Sequence, residues 1–491
     1  MSHITAFSHK LLIHPIKAET LTKELNLTAF SSAKPSRTQP LEYICSPWLR
    51  LICFLFLSFG VALLLATPAH AVDLSLSAAL EQVSTQATEF QRLQKQQQLA
   101  RATHIRSKQA FLPHISAEST WVRSDADALK YTPRLDLHAT PPSITTYDYG
   151  PVEGMISGVN IIQPLIHVEG WIGHAQARTA AQARAASTEW GAQVLKLQTA
   201  QAYFGVHIQG AVLDAAQQAL RAARQVFEHA SANYTQGLAG KLDVTRARAE
   251  FQSAQARVFT AEAEVHRAKN ELANLLGLNP VEPIRVTTPL PRPLPPAEYP
   301  LPQQQRADIV ATELMQEAAS AGVKRAQARI LPKVNFFARQ QWVNGDAPLE
   351  DYADAWFVGA NLKWDIFEGL DRKGDIEEAK AQADLARVEK TEKMRDASTQ
   401  QLNSLNDWVA SWSAWQASCS AVEAAETAAD LAIRRYTEGL GDLTEVLLTR
   451  TELFQHQVNA SRYQYHTLLA GMSYYLHHGY SPLQGLPPQM R

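Results

Sequence analysis

The pattern of apolar and polar positions predicts two short strands in each half of the chain. In residues 356–364 every second residue is apolar and its neighbours are mostly polar, which is typical of a strand with one apolar face. That face consists of Trp356, Val358, Ala360, Leu362 and Trp364. Similar faces are formed by Val334, Phe336 and Ala338, by Ile115, Ala117 and Trp121, and by Met155, Val159 and Ile161. Such strands fit half-buried hairpins in a soluble domain or a sheet that faces lipid.

Two very long helices are predicted between these strands and the turns that follow. Residues 173–232 and 372–435 contain no proline and no cluster of helix-breaking residues. At 1.5 Å per residue each would extend about 90 Å, which is longer than a compact domain needs. Shorter helices are predicted at 80–111 and 241–276, so that two short helices stacked end to end would flank one long helix.

The return helix at 241–276 carries a coiled-coil pattern. Its apolar residues recur in alternating steps of three and four: Val244, Ala247, Phe251, Ala254, Val258, Ala261, Val265, Ala268, Leu272 and Leu275. A seam of this kind, rich in alanine, predicts close contact with a neighbouring helix. The corresponding stripe in the second half is more polar, so the two halves are expected to face different surroundings.

The two halves repeat one plan. The segment Tyr234-Thr235-Gln236-Gly237-Leu238 returns as Tyr436-Thr437-Glu438-Gly439-Leu440, 202 residues later. The spacing of other matching landmarks places 18 extra residues between the two strands of the first half. We therefore predict a first repeat at 72–279, a second repeat at 303–479 and a tail at 480–491. Nine of the 25 prolines lie in 280–302, which predicts a linker or extended strap between the repeats.

Residues 1–71 are interpreted as a leader. An apolar run at 51–66 follows Arg50 and precedes Ala69-His70-Ala71, a pattern typical of a secretory signal peptide cleaved after Ala71. An uncleaved N-terminal anchor is the alternative. Cleavage would remove two of the three cysteines and leave only Cys419 in an exported protein.

Composition and motifs exclude several classes of protein. A mean hydropathy of −0.22 is too polar for a polytopic helical membrane protein, and a net charge of −2 disfavours a nucleic-acid binder. Three cysteines cannot form a disulfide framework or a four-thiolate metal site. The chain lacks HExxH, and the segment 237–241 lacks the spacing and the hydroxyl residue of a P-loop. We therefore expect no enzyme activity, no cofactor and no metal.

Two further clusters are interpreted as structural. His477 and His478 are adjacent on a predicted helix and would point about 100° apart, so one metal ion is not expected to bind both. A stripe formed by Trp408, Trp412, Trp415 and Cys419 is interpreted as packing between helices, with Cys419 buried on it, rather than as a ligand site.

The strands place a condition on assembly if they cross a membrane. Backbone polar groups in lipid must be paired, so only a closed barrel is stable there. Four strands per chain are too few, because single-chain barrels begin at about eight strands. Several copies would therefore have to share one barrel, and the same copies would wrap their long helices into a tube.

The sequence resembles the TolC-like outer membrane efflux family over nearly all of residues 73–479. The resemblance rests on the duplication, on the two Tyr-x-x-Gly-Leu turns and on a leucine-proline step before the first strand of each half. It rests also on the segments Gln163-Pro164-Leu165-Ile166, Trp364-Asp365-Ile366-Phe367-Glu368-Gly369 and Arg306-Ala307-Asp308-Ile309. It implies a mainly α fold with a small β part, in which duplicated long α-helical hairpins form a periplasmic tunnel and four strands join a 12-stranded trimeric outer-membrane β-barrel.

The same resemblance implies a function and partners. The chain would be the passive outer-membrane exit duct of a tripartite efflux or type I secretion system, assembled as a homotrimer in outer-membrane lipid. Its partners would be a periplasmic adaptor (membrane fusion) protein and an inner-membrane transporter of the RND or ABC type, with no nucleic acid. The alternative is a non-conducting periplasmic coiled-coil adaptor or scaffold. The cargo and the identity of the pump stay open.

Function is expected at the periplasmic tips, where the long helices turn back. The tip turns, as candidates for adaptor contact, contain Tyr234, Gly237, Leu238, Gly439 and Leu440. The glycines there allow the chain to turn tightly after a helix.

The candidate entrance residues are Asp243, Glu445 and Tyr436. The resemblance places these acidic residues near a constricted entrance, where a threefold assembly would hold them as rings that bind cations. The alternative is that each acid stabilises a helix N-terminus, and both roles are compatible. The chain departs from the family pattern at Gly441, where an arginine is found, and at Leu448, where an acid is found, so closure of the entrance is expected to differ.

Overall fold

The computed structural model describes residues 72–124, 132–136, 143–147, 152–279, 283–296, 302, 304–345 and 352–490. The predicted leader lies outside these residues, and the repeat boundaries stay a prediction. In the first repeat the helices are α1 (Leu76–Thr85), α2 (Thr88–Ser107), α3 (Val168–Thr235) and α4 (Lys241–Leu276). In the second they are α5 (Ala307–Ala328), α6 (Asp371–Thr437) and α7 (Leu443–His477). No described helix is sufficiently long and apolar to span a membrane.

The two long helices are confirmed and are somewhat longer than predicted. Helix α3 has 68 residues and α6 has 67. Helix α3 packs against α2, α4, α5 and α7, while α6 packs against α5 and α7. Each long helix is thus flanked by two shorter helices of its own repeat, as the predicted lengths required, and α3 also contacts α5 and α7 of the second repeat.

The alanine-rich seam of α4 is the face that packs on α3. None of its ten members is exposed, and Ala247, Ala254 and Leu272 are fully buried. Small side chains on this seam allow the two helix backbones to approach closely along its whole length, residues 244–275.

The prediction of one helix over 80–111 is wrong, because the chain breaks between α1 and α2. Ala87 is fully buried and adopts an extended conformation with ψ near 129°. The end of α4 packs against this break, since a Cβ atom on Gly277 would lie 3.2 Å from the Gln86 carbonyl oxygen. Contact with the end of another helix therefore overrides a helical pattern that is continuous in the sequence.

The main hydrophobic core lies where both repeats and the strap meet. Its members come from α1, α3, α4, α7, the strap and the C-terminal segment: Leu76, Val83, Leu195, Tyr203, Phe204, Leu272, Ile284, Leu468, Met472 and Leu486. Within it the short strand β1 (Val72–Leu74) pairs in parallel with β6 (Ile284–Val286) of the strap. The Tyr203 hydroxyl donates to the Leu74 carbonyl at 2.8 Å and accepts from the Thr288 backbone N–H, so α3 holds the strap in place.

The predicted strands form one antiparallel sheet. Its strands are β2 (His114–Ser124), β5 (Val152–Ile166), β7 (Lys333–Gly345) and β8 (Ala353–Lys363), in that order across the sheet. The extra residues of the first repeat contain a further hairpin, β3 (Thr132–Asp136) with β4 (Ser143–Tyr147). All four connections between this sheet and helices α2, α3, α5 and α6 lie at one end of it.

The register aligns the predicted apolar faces on one side of the sheet. Ile115 lies opposite Ile161, Ile161 opposite Ala338, and Ala338 opposite Val358. The side chain of Trp356 on this face is 71% exposed. The other side is more polar and includes an ion pair of 3.3 Å between Arg339 and Glu118. An apolar face that no described part of the chain covers is the face expected to contact lipid.

Candidate entrance at the helical tips

Each long helix ends at a glycine with a left-handed backbone. Gly237 has φ of 75° and Gly439 has φ of 76°, a region that residues with a side chain rarely adopt. The backbone N–H of Leu238 donates to the Asn233 carbonyl and that of Leu440 donates to the Arg435 carbonyl, each at 2.8 Å. This is the Schellman arrangement, in which the chain reverses immediately after the helix.

The leucine after each glycine has no apolar partner within its turn. In a Schellman turn this residue usually contacts an apolar side chain of the last helical turn. Here the corresponding residues of that turn are Asn233 and Arg435, which are polar. Leu238 is consequently 75% exposed and Leu440 70% exposed. The tips thus present apolar side chains outwards.

A small core holds the four helices together at the tips. It contains side chains from α3, α4, α6 and α7: Val226, Ala230, Ala247, Ala432, Leu443 and Val446. Tyr436 packs against this core from the end of α6. Because all four helices contribute, the two tip turns are adjacent within one chain.

The structure brings Tyr436 close to Asp243. The hydroxyl oxygen of Tyr436 is buried, and no described group makes a well-oriented hydrogen bond to it. The pKa of Tyr436 is raised, first by burial and then by the carboxylates of Asp243 and Asp442, while the side chain of Asn233 acts in the opposite direction. Two carboxylates of one chain therefore lie around this phenol.

Asp243 also acts within its own turn. Its carboxylate accepts a hydrogen bond of 3.3 Å from the backbone N–H of Gly240, at the start of α4. Asp243 therefore stabilises the N-terminus of α4, which is the alternative role that the sequence allowed in addition to a role at the entrance. Among the described residues no ion pair to Asp243 is formed, so its negative charge is not neutralised by a neighbour.

Glu445 is held differently, by an arginine of its own chain. The Arg435 guanidinium donates to the Glu445 carboxylate at 2.9 Å and to the Leu440 carbonyl at 3.4 Å. Gly441 lies against the end of α6, since a Cβ atom there would be 3.1 Å from the Cβ of Arg435 and 3.2 Å from the Tyr436 nitrogen. The described contacts do not join Asp243 directly to Glu445.

Sequence reasoning missed several residues of this site. Arg435 was not singled out, although it directly precedes the predicted Tyr436. Asp442 precedes α7, and its pKa is lowered mainly by a hydrogen bond from the Thr444 side chain. Arg246 donates to the Thr444 hydroxyl at 3.1 Å and thereby links the two repeats. Polar residues of a turn give no periodic signal, so these contacts could be found only from the structure.

The tryptophan stripe, one of the two clusters interpreted as structural, is only partly as predicted. Trp408 and Trp415 are buried, and Trp408 packs against Tyr474, as the stripe predicted. The prediction that Cys419 is buried is wrong: it is exposed, because the neighbouring Ser418 takes the buried position at that turn. His478 Nδ1 contacts the Tyr474 carbonyl oxygen at 2.8 Å.

Comparison with known proteins gives the family. The profile of the family described as "Outer membrane efflux protein" matches residues 89–278 and 299–472, most of both repeats. The chain belongs to the outer membrane efflux protein family. The family is one of efflux proteins of the outer membrane and not of enzymes, which confirms the predicted localisation and the expectation that the chain is not an enzyme.

Solved structures share the fold of this family member. The outer membrane protein VceC of Vibrio cholerae is 19% identical with a TM-score of 0.70, over 83% of this chain and 96% of that one. The outer membrane channel CmeC of Campylobacter jejuni is 14% identical with a TM-score of 0.70, over 85% and 90% respectively. The MtrE outer membrane channel of Neisseria gonorrhoeae, solved in an open state, is 17% identical with a TM-score of 0.63, over 83% and 89%. The fold class predicted from the sequence is confirmed.

A curated relative resembles part of the chain. The fusaric acid resistance protein FusA of Burkholderia cepacia is 28% identical over 200 residues. That stretch covers 39% of this chain and 37% of the relative's length, so the match spans little more than a third of either protein.

Proposed function

We propose that three copies of this chain form a passive outer-membrane exit duct that serves an inner-membrane pump. The observation that carries the proposal is the open four-stranded sheet. Its two outer strands, β2 and β8, have no partner on one side among the described strands, and each has 11 residues. A sheet in lipid cannot leave these backbone groups unpaired.

The strand directions suit closure by identical copies. The sheet is antiparallel throughout and has an even number of strands, so β8 of one copy would run antiparallel to β2 of the next. Three copies of four strands supply the 12 strands that the family resemblance implied. The apolar face would then contact lipid and the face with Arg339 and Glu118 would line the lumen.

The tips would form the entrance of the duct. In a threefold assembly Asp243 and Glu445 would each occur three times around the axis, and rings of carboxylates bind cations and alter the passage of charged cargo. The Asp243 carboxylates would contribute more strongly than Glu445, because Arg435 neutralises the latter.

The exposed leucines of the tips would contact a periplasmic adaptor. Leu238 and Leu440 lie at the end farthest from the sheet, where a partner from the inner membrane would arrive. The energy for transport would come from a pump of the RND or ABC type. The partial likeness to a fusaric acid resistance protein makes small organic toxicants the first cargo class to test.

Reconstitution of the purified chain tests this proposal. We expect a trimer by size in detergent and single-channel conductance in a planar lipid bilayer. A soluble monomer without conductance would contradict the duct. It would favour the alternative, a non-conducting periplasmic scaffold, for which the exposed coiled-coil surfaces would be the relevant feature.

A further inference from the structure

Exposed apolar side chains surround the junction between the sheet and the helices. We call this junction the collar, and its exposed members are Phe111, Leu112, Leu165, Trp171, Trp364 and Phe367. They continue the apolar face of the sheet to the ends of the helices. Aromatic side chains in such a position are typical of the boundary between hydrocarbon and lipid headgroups.

The collar side of the first repeat is predominantly basic, and its acid Glu169 already pairs with Lys333 of the second repeat at 2.7 Å. Residues 90–117 and 170–188 include seven lysines and arginines and no aspartate or glutamate. Lys108 and Arg178 are exposed and form no ion pair with a described residue. These two positive charges, which have no counter-ion in the described part of the chain, are available for an anion from outside.

In the second repeat the collar arginine is paired with acids. Arg329 lies 3.4 Å from Glu368 and 3.1 Å from Asp371, and it also pairs with Asp375. Three carboxylates thus saturate this guanidinium. Although the repeats share one skeleton, the second pairs its collar arginines Arg329 and Arg372 with carboxylates, whereas the first leaves Lys108 and Arg178 without a described ion pair.

A matched position shows the same reversal of charge. Nine residues after the shared Glu169-Gly170 step the first repeat has Arg178, and nine after Glu368-Gly369 the second repeat has Glu377. The two sides of the collar therefore differ in charge at this matched position.

Two histidines and two aromatic rings form the floor of this basic surface. The rings of His104 and His174 are 4.9 Å apart, and Phe111 meets His174 edge-on at 5.2 Å. Phe111 also stacks on Trp171 with an interplanar angle of 7°. Contacts between α2, the turn after it and α3 hold this arrangement.

A short hydrogen-bond chain sets the tautomer of His174. The Ser107 hydroxyl donates to the His104 carbonyl at 2.6 Å, so its single proton is used there. The contact of 2.9 Å between Ser107 Oγ and His174 Nδ1 must then have the ring nitrogen as donor. The pKa of His174 is lowered by burial and by His104, Lys108 and Arg178, whose positive field disfavours a metal cation here and favours an anion.

We propose that Lys108 and Arg178 bind the phosphate of an anionic phospholipid in the periplasmic leaflet of the outer membrane, with the His104–His174 pair beneath it. Phe111 and Trp171 lie beside its acyl chains. Charge complementarity and continuity with the lipid-facing sheet identify the ligand as a lipid. The orientation of the collar rests on the proposed function, because the helices must extend into the periplasm.

Native mass spectrometry of the full chain in detergent tests this site. The probes are phosphatidylglycerol and phosphatidylcholine with identical acyl chains, and free inorganic phosphate as a competitor. We expect the chain to retain phosphatidylglycerol preferentially. Each basic residue near an anionic lipid contributes about 1 kcal/mol, so K108Q/R178Q should weaken the retention of phosphatidylglycerol by about tenfold or more.

The control is R221Q/R395Q, which removes two exposed arginines of α3 and α6 distant from the collar. It should retain the lipid as the unmodified chain does. Equal loss in both variants, equal retention of phosphatidylcholine, or displacement of the lipid by millimolar phosphate would each overturn the proposal. Conductance measured on K108Q/R178Q tests the proposed duct independently of the lipid site, since the variant should still conduct.

Discussion

Arg435 binds Glu445 across the turn between α6 and α7, at 2.9 Å from guanidinium nitrogen to carboxylate oxygen. This pair neutralises one of the two predicted entrance acids within its own chain. Arg435 lies beside Gly441, the position at which the resemblance implies an arginine. Gly441 instead allows the turn to lie against the backbone of Arg435. The proposed entrance is therefore organised by an arginine on the preceding helix.

Replacement of Arg435 should expose the charge of Glu445. In R435Q the carboxylate loses its partner, so the entrance becomes more negative and multivalent cations should block the channel more tightly. An exposed pair contributes up to about 1 kcal/mol, which corresponds to about fivefold in the blocking constant. The control is R434Q, because Arg434 is exposed and forms no described ion pair. Tighter block in both variants, or in neither, would contradict this role of Arg435.

Removal of the entrance acids should have the opposite effect. D243N keeps an oxygen that can accept from Gly240 but loses the charge, so α4 should stay intact while block by a trivalent cation weakens by about tenfold. E445Q should change block less, since Arg435 already neutralises Glu445. D214N, on an exposed position of α3, is the control. If planar-bilayer recordings gave the same block for D243N and D214N, the ring of Asp243 would be ruled out.

The tip glycine should resist substitution more than a glycine inside the helix. In G439A a side chain must adopt a φ near 76°, which costs about 1 kcal/mol or more. Gly374 lies in α6, where an added Cβ atom would meet open space, so G374A should stabilise the helix by up to about 1 kcal/mol. Thermal loss of helical circular dichroism compares the two. Equal behaviour would show that the left-handed turn is not retained in solution.

A charge should be tolerated on one face of the sheet and not on the other. Val358 lies on the apolar face and Asn361 on the polar face of β8. A lysine facing lipid at the bilayer centre costs about 2–4 kcal/mol, so V358K should reduce the yield of assembled channel, whereas N361K should not. Gel migration of unheated membrane extracts measures assembly. A similar yield for both variants would mean that the apolar face does not contact lipid.

The stability of the packed helices should fall at alkaline pH through Tyr465. Burial raises the pKa of Tyr465 from 10.0 to about 12, and its hydroxyl donates to the Gln201 carbonyl at 3.0 Å. A raised pKa means that the native state favours the neutral phenol. Its contribution is therefore complete below pH 10.0 and is lost as the pH rises through about 12.

The variant Y465F isolates this contribution. It should cost about 0.5–1.5 kcal/mol near neutral pH through the lost hydrogen bond, and it should flatten the alkaline decline. Helix melting on both sides of pH 10.0 measures both effects. The control Y463F changes a tyrosine that is 40% exposed. An unchanged alkaline decline in Y465F would assign that decline to other groups.

Much of the architecture could be predicted from the sequence, because it depends on local periodicity. The seam of α4 repeats in steps of three and four, and its predicted bounds of 241–276 coincide with Lys241–Leu276. The strand faces follow a period of two, and the tip turns follow from Gly237 and Gly439. Long elements with strong periods leave few alternatives for local structure.

The predictions failed where contacts between residues far apart in the sequence determine the local structure. The break at Ala87 arises from the end of α4, which is distant in the chain, and Cys419 is exposed because the packing of α6 buries Ser418 beside it instead. Arg435 was missed because its partner is ten residues away across a turn, a spacing that belongs to no helical or strand period.

The sequence by itself determined the repeats, the long helices, the polarity of the strand faces and the glycine turns, since each follows from the backbone preferences of nearby residues. Only the tertiary structure decided which charges are neutralised. Arg435 meets Glu445, and Arg329 meets three carboxylates, whereas Lys108 and Arg178 meet none among the described residues. An ion pair depends on the distance between side chains in space, and the packing of separate helices sets that distance.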